Sequence, residues 1–310
     1  MSLTLRPYLY LIVALGVVYG LSLVAGEMNS YDQRIVINVG IAMILAASLN
    51  LINGFTGQFS LGHAGFMAIG AYVAAWMTTV RFEGIADAPA EPVFLLALLI
   101  GGLVAALFGL LIGVPSLRLK GDYLAIVTLG FGEIIRVVLQ NVYFTPDGGL
   151  AFGPSETATV GGSLGLSDVP RVTTFVWTFS TLVVLVFLTE NLMKSTYGRG
   201  FLATRDDEIA AESLGVNTTK FKVVAFVLGA FFAGIAGGLF GHFNTAFRPG
   251  DFNFLKSVEI VVFVILGGMG STWGVLLAAA ILTLVPELLR DVEIFGIEFQ
   301  DFRMSIYALF

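Results

Sequence analysis

The sequence predicts an all-α, polytopic integral membrane protein of about eight to ten transmembrane helices, some of them discontinuous or re-entrant. Three observations carry this. Of 310 residues, 57% are hydrophobic and only 12% are charged, where a soluble domain carries about 25% charged residues. The mean hydropathy is +0.90. Several apolar runs approach the ~20 residues that a bilayer-spanning helix needs.

The same composition excludes other classes. With 16 Lys+Arg against 22 Asp+Glu and a net charge of −6, no basic stripe is available to meet phosphates, so nucleic acid is not an expected partner. There is no cysteine, which removes disulfides, thiolate metal sites and cysteine nucleophiles together. Two histidines without carboxylates at ligand spacing give no reason to expect a metal or cofactor.

Arg6 precedes an apolar stretch, residues 7–25, that is longer than a signal-peptide core and lacks a small-x-small cleavage site, so it is read as the first span. Further spans are predicted over residues 35–53, 58–80, 93–114, 122–140, 172–192, 221–243 and 257–286. The last would reach ~45 Å as one straight helix. The run Gly267-Gly268-Met269-Gly270-Ser271 interrupts it, so two half-helices or a re-entrant turn are expected there. Residues 302–310 begin another apolar helix and stop after about half a span. A single transmembrane domain over residues 1–310, cut short in its final helix, is therefore expected.

An N-terminus on the inside puts eight basic residues in inner segments and seven in outer ones, a small bias in the direction of the positive-inside rule. Residues 143–171, rich in Gly, Ser, Thr and Pro, then form an irregular outer loop. Residues 193–220 form an inner one. Within it Thr204 and Asp207 have the spacing of a capping box, and Gly215 suits a helix C-terminus. A short surface helix over residues 205–214 is expected, with Ala210, Ala211 and Leu214 on one face.

The polar candidates at membrane depth are few. The glycine-dense passage at residues 53–66 contains Gln58, Ser60 and His63; it reads either as a turn into a close-packed helix or as a broken element beside a permeation path. No Lys-Ser/Thr follows these glycines, so a phosphate-binding loop is not expected. Glu133 and Arg136 are three apart, on one helix face, and are expected to pair. Glu259 either pairs with Lys256 or faces the path. His242 is expected at the membrane interface. No nucleophile has a base and an orienting group in pattern, so an enzyme is not expected.

Three longer passages resemble one family. These are NGFTGQFSLGHAGFMAIGAY at residues 53–72, LRLKGDYLAIVTLGFGEI at 117–134 and YGRGFLATRDDEIAAESLG at 197–215. With VEIVVFVILGGMGSTWG at 258–274, they resemble the permease subunits of branched-chain amino acid ABC importers, of the LivM type rather than its LivH-type partner. The resemblance implies a multi-pass subunit in the cytoplasmic (inner) membrane of a bacterium or archaeon. Its implied partners are a second, homologous permease, two cytoplasmic ATPase subunits and an extracytoplasmic substrate-binding protein.

The resemblance also implies a coupling helix in the inner loop, built on Ala210-Ala211-Glu212-Ser213-Leu214-Gly215 and flanked by Arg205, Asp206 and Glu208. The family pattern has Glu directly before the two alanines, whereas here Ile209 stands there and Glu208 one place earlier. Gln58, Ser60, His63, Glu133, Arg136 and Glu259 are the candidates for the translocation path. The competing reading is a stand-alone secondary transporter or channel in which intramembrane Glu or His carries ions.

Overall fold

The computed structural model describes residues 6–81, 90–116, 122–144, 150–153, 160–288, 293–294 and 297–298. Eleven α-helices make up most of that: α1 Arg6–Ala25, α2 Ser30–Asn53, α3 His63–Trp76, α4 Ala90–Ser116, α5 Asp122–Asn141, α6 Phe175–Lys194, α7 Thr196–Asp206, α8 Glu208–Ser213, α9 Thr218–Asn244, α10 Phe254–Gly267 and α11 Thr272–Leu288. Six of them, α1, α2, α4, α5, α6 and α9, are long and apolar enough to cross a membrane. α3, α10 and α11 are shorter. The all-α polytopic architecture expected from composition is the one observed.

Each long helix follows from a predominantly apolar run whose interior backbone groups are satisfied within the element, as hydrocarbon requires. α1 lies at the periphery, packed against α6, with Tyr8, Ile12, Tyr19 and Leu23 exposed. α2 and α9 are largely buried and form the centre with α3 and α4. The contact between α3, α4 and α9 is made by glycine: a Cβ on Gly70 would collide with the Gly234 carbonyl, one on Gly237 with the Met67 carbonyl, and one on Gly109 with Ala230. Small residues let these backbones touch, which supplies the packing that apolar attraction alone does not give in lipid.

Several expectations are corrected. The span at residues 58–80 is helical only from His63, and its far end is a π-helical turn, Met77–Arg81. The segment at 257–286 divides as expected into α10 and α11, separated at residues 268–271, where Gly268 and Gly270 have positive φ. Gly270 thus serves a sharp turn. The loop at residues 143–171 is not wholly irregular, since three antiparallel strands, β1 Val142–Phe144, β2 Leu150–Phe152 and β3 Val160–Gly161, pair in the order β2-β1-β3. Two further strands, β4 Glu293–Ile294 and β5 Ile297–Glu298, form a hairpin. The final segment at 302–310, with Arg118 and Lys120, lies outside the described residues.

His242, expected at the membrane interface, lies in the last turn of α9 and inside the bundle. It is fully buried, its Nδ1 2.8 Å from the Gly238 carbonyl and its Nε2 2.8 Å from the Thr78 hydroxyl, with the Phe94 ring at 4.8 Å. The π-helical turn after α3 carries Thr78 to it.

The glycine contacts give a first test. Gly70→Val and Gly237→Val should lower the stability of the purified protein by at least the ~1–3 kcal/mol typical of overpacking, because backbone atoms rather than flexible side chains stand in the way. Gly130→Ala, where nothing lies within 4 Å of the added carbon, should unfold with the wild type in a detergent thermal-shift assay. Equal melting of Gly70→Val and wild type would refute the close α3–α9 contact.

Candidate functional site

One end of the helical body is closed by α7 and α8. One cap residue, Asp207, builds the bend between them. Asp207 leaves the helical conformation and its Oδ1 accepts from the amides of Ile209 (2.9 Å) and Ala210 (3.0 Å). Thr204, expected to cap, instead donates its hydroxyl to the Gly200 carbonyl inside α7 and is buried. The predicted single helix at 205–214 is therefore two helices meeting at Asp207. Gly215 ends α8 with φ +83°, while Val216 donates back to the Ala211 carbonyl, as in a left-handed C-cap.

α8 has two distinct sides. On the inner side the Glu208 carboxylate is 2.6 Å from Lys222 Nζ of α9, and Thr218 Oγ1 donates to Glu212 Oε1 at 2.6 Å. Ala211, only 4% exposed, lies on this inner side. Ile209, Ala210, Ser213 and Leu214 face away, Leu214 at 85% exposure. The expectation that Ala210, Ala211 and Leu214 share one face is corrected, because the two acidic residues turn Ala211 inward.

Arg205 connects this surface to two breaks in the transmembrane helices. Its guanidinium donates to the Gly54 carbonyl at 3.4 Å and pairs with the neighbouring Asp206 at 3.1 Å. A Cβ at Gly57 or at Gly270 would meet the Arg205 side chain. Beneath it, the Gly270 amide donates to Asn50 Oδ1 at 2.9 Å. The turn after α2 and the turn between α10 and α11 are thus joined to each other and covered by the last turn of α7.

The passage at residues 57–62 is a broken element rather than the start of a helix. Its amides find side chains on other helices: Ser60 N–H donates to Asn53 Oδ1 (3.2 Å), Leu61 N–H to Thr128 Oγ1 (3.0 Å) and, at the start of α3, Ala64 N–H to Ser257 Oγ (3.1 Å). Gln58 is half-buried, and Ser60 and His63 are buried. His63 Nε2 lies 2.8 Å from Ser48 Oγ. The Ser48 hydroxyl also lies 2.9 Å from the Leu45 carbonyl. His63 Nδ1 and Ser60 Oγ are buried without partners among the described residues.

The other candidates are apart from this cluster. Arg136 Nε donates to Glu133 Oε2 at 2.7 Å, with the side chains 26% and 33% exposed, so the pair is real but not deeply buried. Glu259 pairs with Lys256 at 2.9 Å and lines a cavity of about 470 Å³ toward the far end of α2. Sequence reasoning missed the rest of that cavity, including Arg34, Asn38 and Asp251. These residues lie far apart along the chain, and only α2 folding against α9, α10 and α11 brings them together.

The family described as branched-chain amino acid transport system permease component matches residues 33–306. The chain belongs to this family. It is 38% identical over 285 residues to the high-affinity branched-chain amino acid transport system permease protein LivM of Salmonella typhimurium, covering 81% of this chain and 62% of that protein, with the same figures for LivM of Escherichia coli K12. The chain thus spans less than two thirds of the length of these two relatives. It is also 25% identical over 252 residues to LivH of Salmonella typhimurium, covering 79% of this chain and 80% of LivH. No solved structure matches.

Lys222 supplies the test of how α8 is held. It is 2% exposed, so removing its partner leaves a cation without compensation. Glu208→Gln should cost about 2–4 kcal/mol, somewhat below the ~3–5 kcal/mol of fully buried pairs because Glu208 stays partly in water. Glu208→Gln with Lys222→Met should recover part of that loss. Additive thermal shifts in this double-mutant cycle would rule out the coupling.

Proposed function

We propose that this chain is the LivM-type permease subunit of an ATP-driven importer, forming half of a translocation pathway for leucine, isoleucine, valine or a related small solute. It works with a LivH-type second permease, two cytoplasmic ATPase subunits and an extracytoplasmic binding protein, in the cytoplasmic membrane. Family membership and the likeness to both LivM and LivH support the class. ATP is hydrolysed by the partners, and this chain transmits the motion.

The observation that carries the coupling role is the division of α8 into a tethered side and a free one. Glu208 and Glu212 fix the helix to α9, while Ile209, Ala210 and Leu214 present an apolar surface at the end where Asn50, Gly54 and Gly270 join two helix breaks. An ATPase groove that seats Leu214 and Ile209 acts on a lever whose other arm is Arg205. Its motion reaches α2, α10 and α11 through the covered turns, shifting an inward-facing and outward-facing equilibrium. α8 and Arg205 then lie on the cytoplasmic side and the β1–β3 loop on the side of the binding protein.

The groups that a stand-alone proton-coupled carrier would use are already committed. Glu133 is held by Arg136, Glu259 by Lys256, and His63 by Ser48.

Because Ile209, Ala210 and Leu214 point outward, a charge or bulk there leaves the permease fold intact. Leu214→Asp and Ala210→Trp should assemble with the second permease yet lose at least 90% of the ATP hydrolysis stimulated by leucine-loaded binding protein, while Ser213→Ala keeps it. The assay is ATPase activity of the reconstituted complex with and without loaded binding protein. Full stimulation in both altered complexes would remove α8 as the coupling element.

A further inference from the structure

The cavity at the far end of α2 combines three features that the coupling surface lacks. First, it holds two positive and two negative side chains: Arg34, Lys256, Asp251 and Glu259. Lys256 and Glu259 neutralise each other at 2.9 Å. Arg34 has no hydrogen bond or ion pair among the described residues, and Asp251 only accepts the backbone amide of Arg248 at 2.8 Å. One cation and one anion therefore line the same space without pairing.

Second, further polar groups are uncommitted. The Asn38 amide has no partner among the described residues, and Thr283 Oγ1 is buried without one. A buried hydroxyl left unpaired is costly unless something in the cavity satisfies it. Third, the cavity continues onto Ile41, Ala42, Leu45, Met67 and Phe240, an apolar wall. Its volume of about 470 Å³ falls within the ~300–1,000 Å³ of small-molecule sites.

We infer that this cavity, contained within one permease subunit, binds a free α-amino acid as its zwitterion, with Arg34 taking the carboxylate, Asp251 the ammonium, and the wall of Ile41, Leu45 and Met67 the branched side chain. The guanidinium fork matches a carboxylate in bidentate geometry. The separated charges match the head group of an amino acid, whose two ends are of opposite sign and which carries no net charge into the cavity. Thr283 and Asn38 complete the polar shell. The Lys256–Glu259 pair keeps that part of the wall neutral, so neither a bare anion nor a bare cation finds a full set of partners. The inference rests on the importer reading above and gives the solute a resting place in this chain alone, apart from any path between two permeases.

The test uses the complete reconstituted importer in nanodiscs, without binding protein, and equilibrium binding of tritiated leucine. Leucine should bind at least tenfold tighter than 4-methylpentanoate, which lacks the ammonium, or isoamylamine, which lacks the carboxylate, as competitors. Arg34→Gln should weaken leucine binding at least tenfold and Arg34→Lys by less. Ala42→Trp, which fills the wall, should abolish it. Arg171→Gln, a cation toward the same end but outside this cavity, should bind leucine as the wild type does.

Arg34→Gln lies at an exposed position, so its folding is checked by assembly with the second permease and by melting temperature. Wild-type affinity in Arg34→Gln, or equal competition by 4-methylpentanoate and leucine, overturns the site. If the wild-type complex takes up leucine from its loaded binding protein yet binds none directly, the site is overturned and the importer reading stands. If loaded binding protein stimulates neither uptake nor ATP hydrolysis with leucine, isoleucine or valine, the importer reading fails for those solutes, and the cavity's role in it fails too.

Discussion

The hydrogen bond from the Gly270 amide to Asn50 Oδ1 is the point on which the rest of the architecture turns. A helix end leaves amides and carbonyls without intrahelical partners, and those turned into the protein must be met by protein atoms. α2 is capped at Gly54 and α10 ends at Gly267, and the two breaks come together so that Asn50 serves both, its backbone carbonyl taking the Gly54 and Phe55 amides and its side chain the Gly270 amide. Gly54 allows this, since any Cβ there would strike Asn50 and the Gly270 amide. The same economy recurs at residues 57–64, where Asn53, Thr128 and Ser257, from three different helices, take the amides of a non-helical strand of chain. Breaks satisfied by single side-chain atoms can change partners at the cost of one hydrogen bond, about 0.5–1.5 kcal/mol. A fully helical span has no such low-cost rearrangement.

Much of this organisation is legible in the amino-acid sequence. Each long helix is a predominantly apolar run long enough to span, and in hydrocarbon such a run satisfies its own backbone only as a helix. The division of residues 257–286 is also visible, because three glycines within four residues cannot continue a helix without loss. The pairing of Glu133 with Arg136 follows from their spacing alone. What escaped depends on contacts between distant segments. Thr204 and Asp207 are both competent caps, three residues apart, and local pattern cannot choose between them. The choice is made by α7, which continues through Thr204 because Phe201 packs edge-to-face on Phe221 of α9 and the Thr204 hydroxyl finds Gly200. His242 has the position of an interfacial residue by sequence, yet the π-helical turn of α3 brings Thr78 to its ring. The cavity was illegible for the same reason, since Arg34, Asp251 and Lys256 each read singly as an ordinary charge near a helix end.

The two functional regions are linked by shared helices. α2 carries Asn50 and Gly54 next to Arg205 at one end, and Arg34, Asn38 and Ile41 at the other. α9 begins with Lys222 holding α8 and reaches the cavity with Phe240 and Asn244. α10 and α11 meet at the Gly270 turn under Arg205 and supply Lys256, Glu259 and Thr283 to the cavity. Every wall of the cavity formed by α2, α9, α10 or α11 is thus the far end of an element gripped or covered near α8.

On the importer reading this geometry sets how coupling can work. α9 packs on α3 and α4 through glycine contacts that bring the backbones too close for a side chain between them, so on this reading it serves as the fixed reference. α10 and α11 are held differently, with a glycine turn between them and an asparagine bond to α2. A push on α8 that shifts Arg205 therefore moves the α10–α11 turn more readily than it moves α9. Because Lys256 and Glu259 ride on α10 while Arg34 rides on α2, such a motion alters the spacing of charges across the cavity without breaking either the glycine-packed centre or the Lys256–Glu259 pair. Affinity for a ligand that bridges α2 and the α10 side would then change with the state of α8, and by linkage the ligand would bias α8 in return.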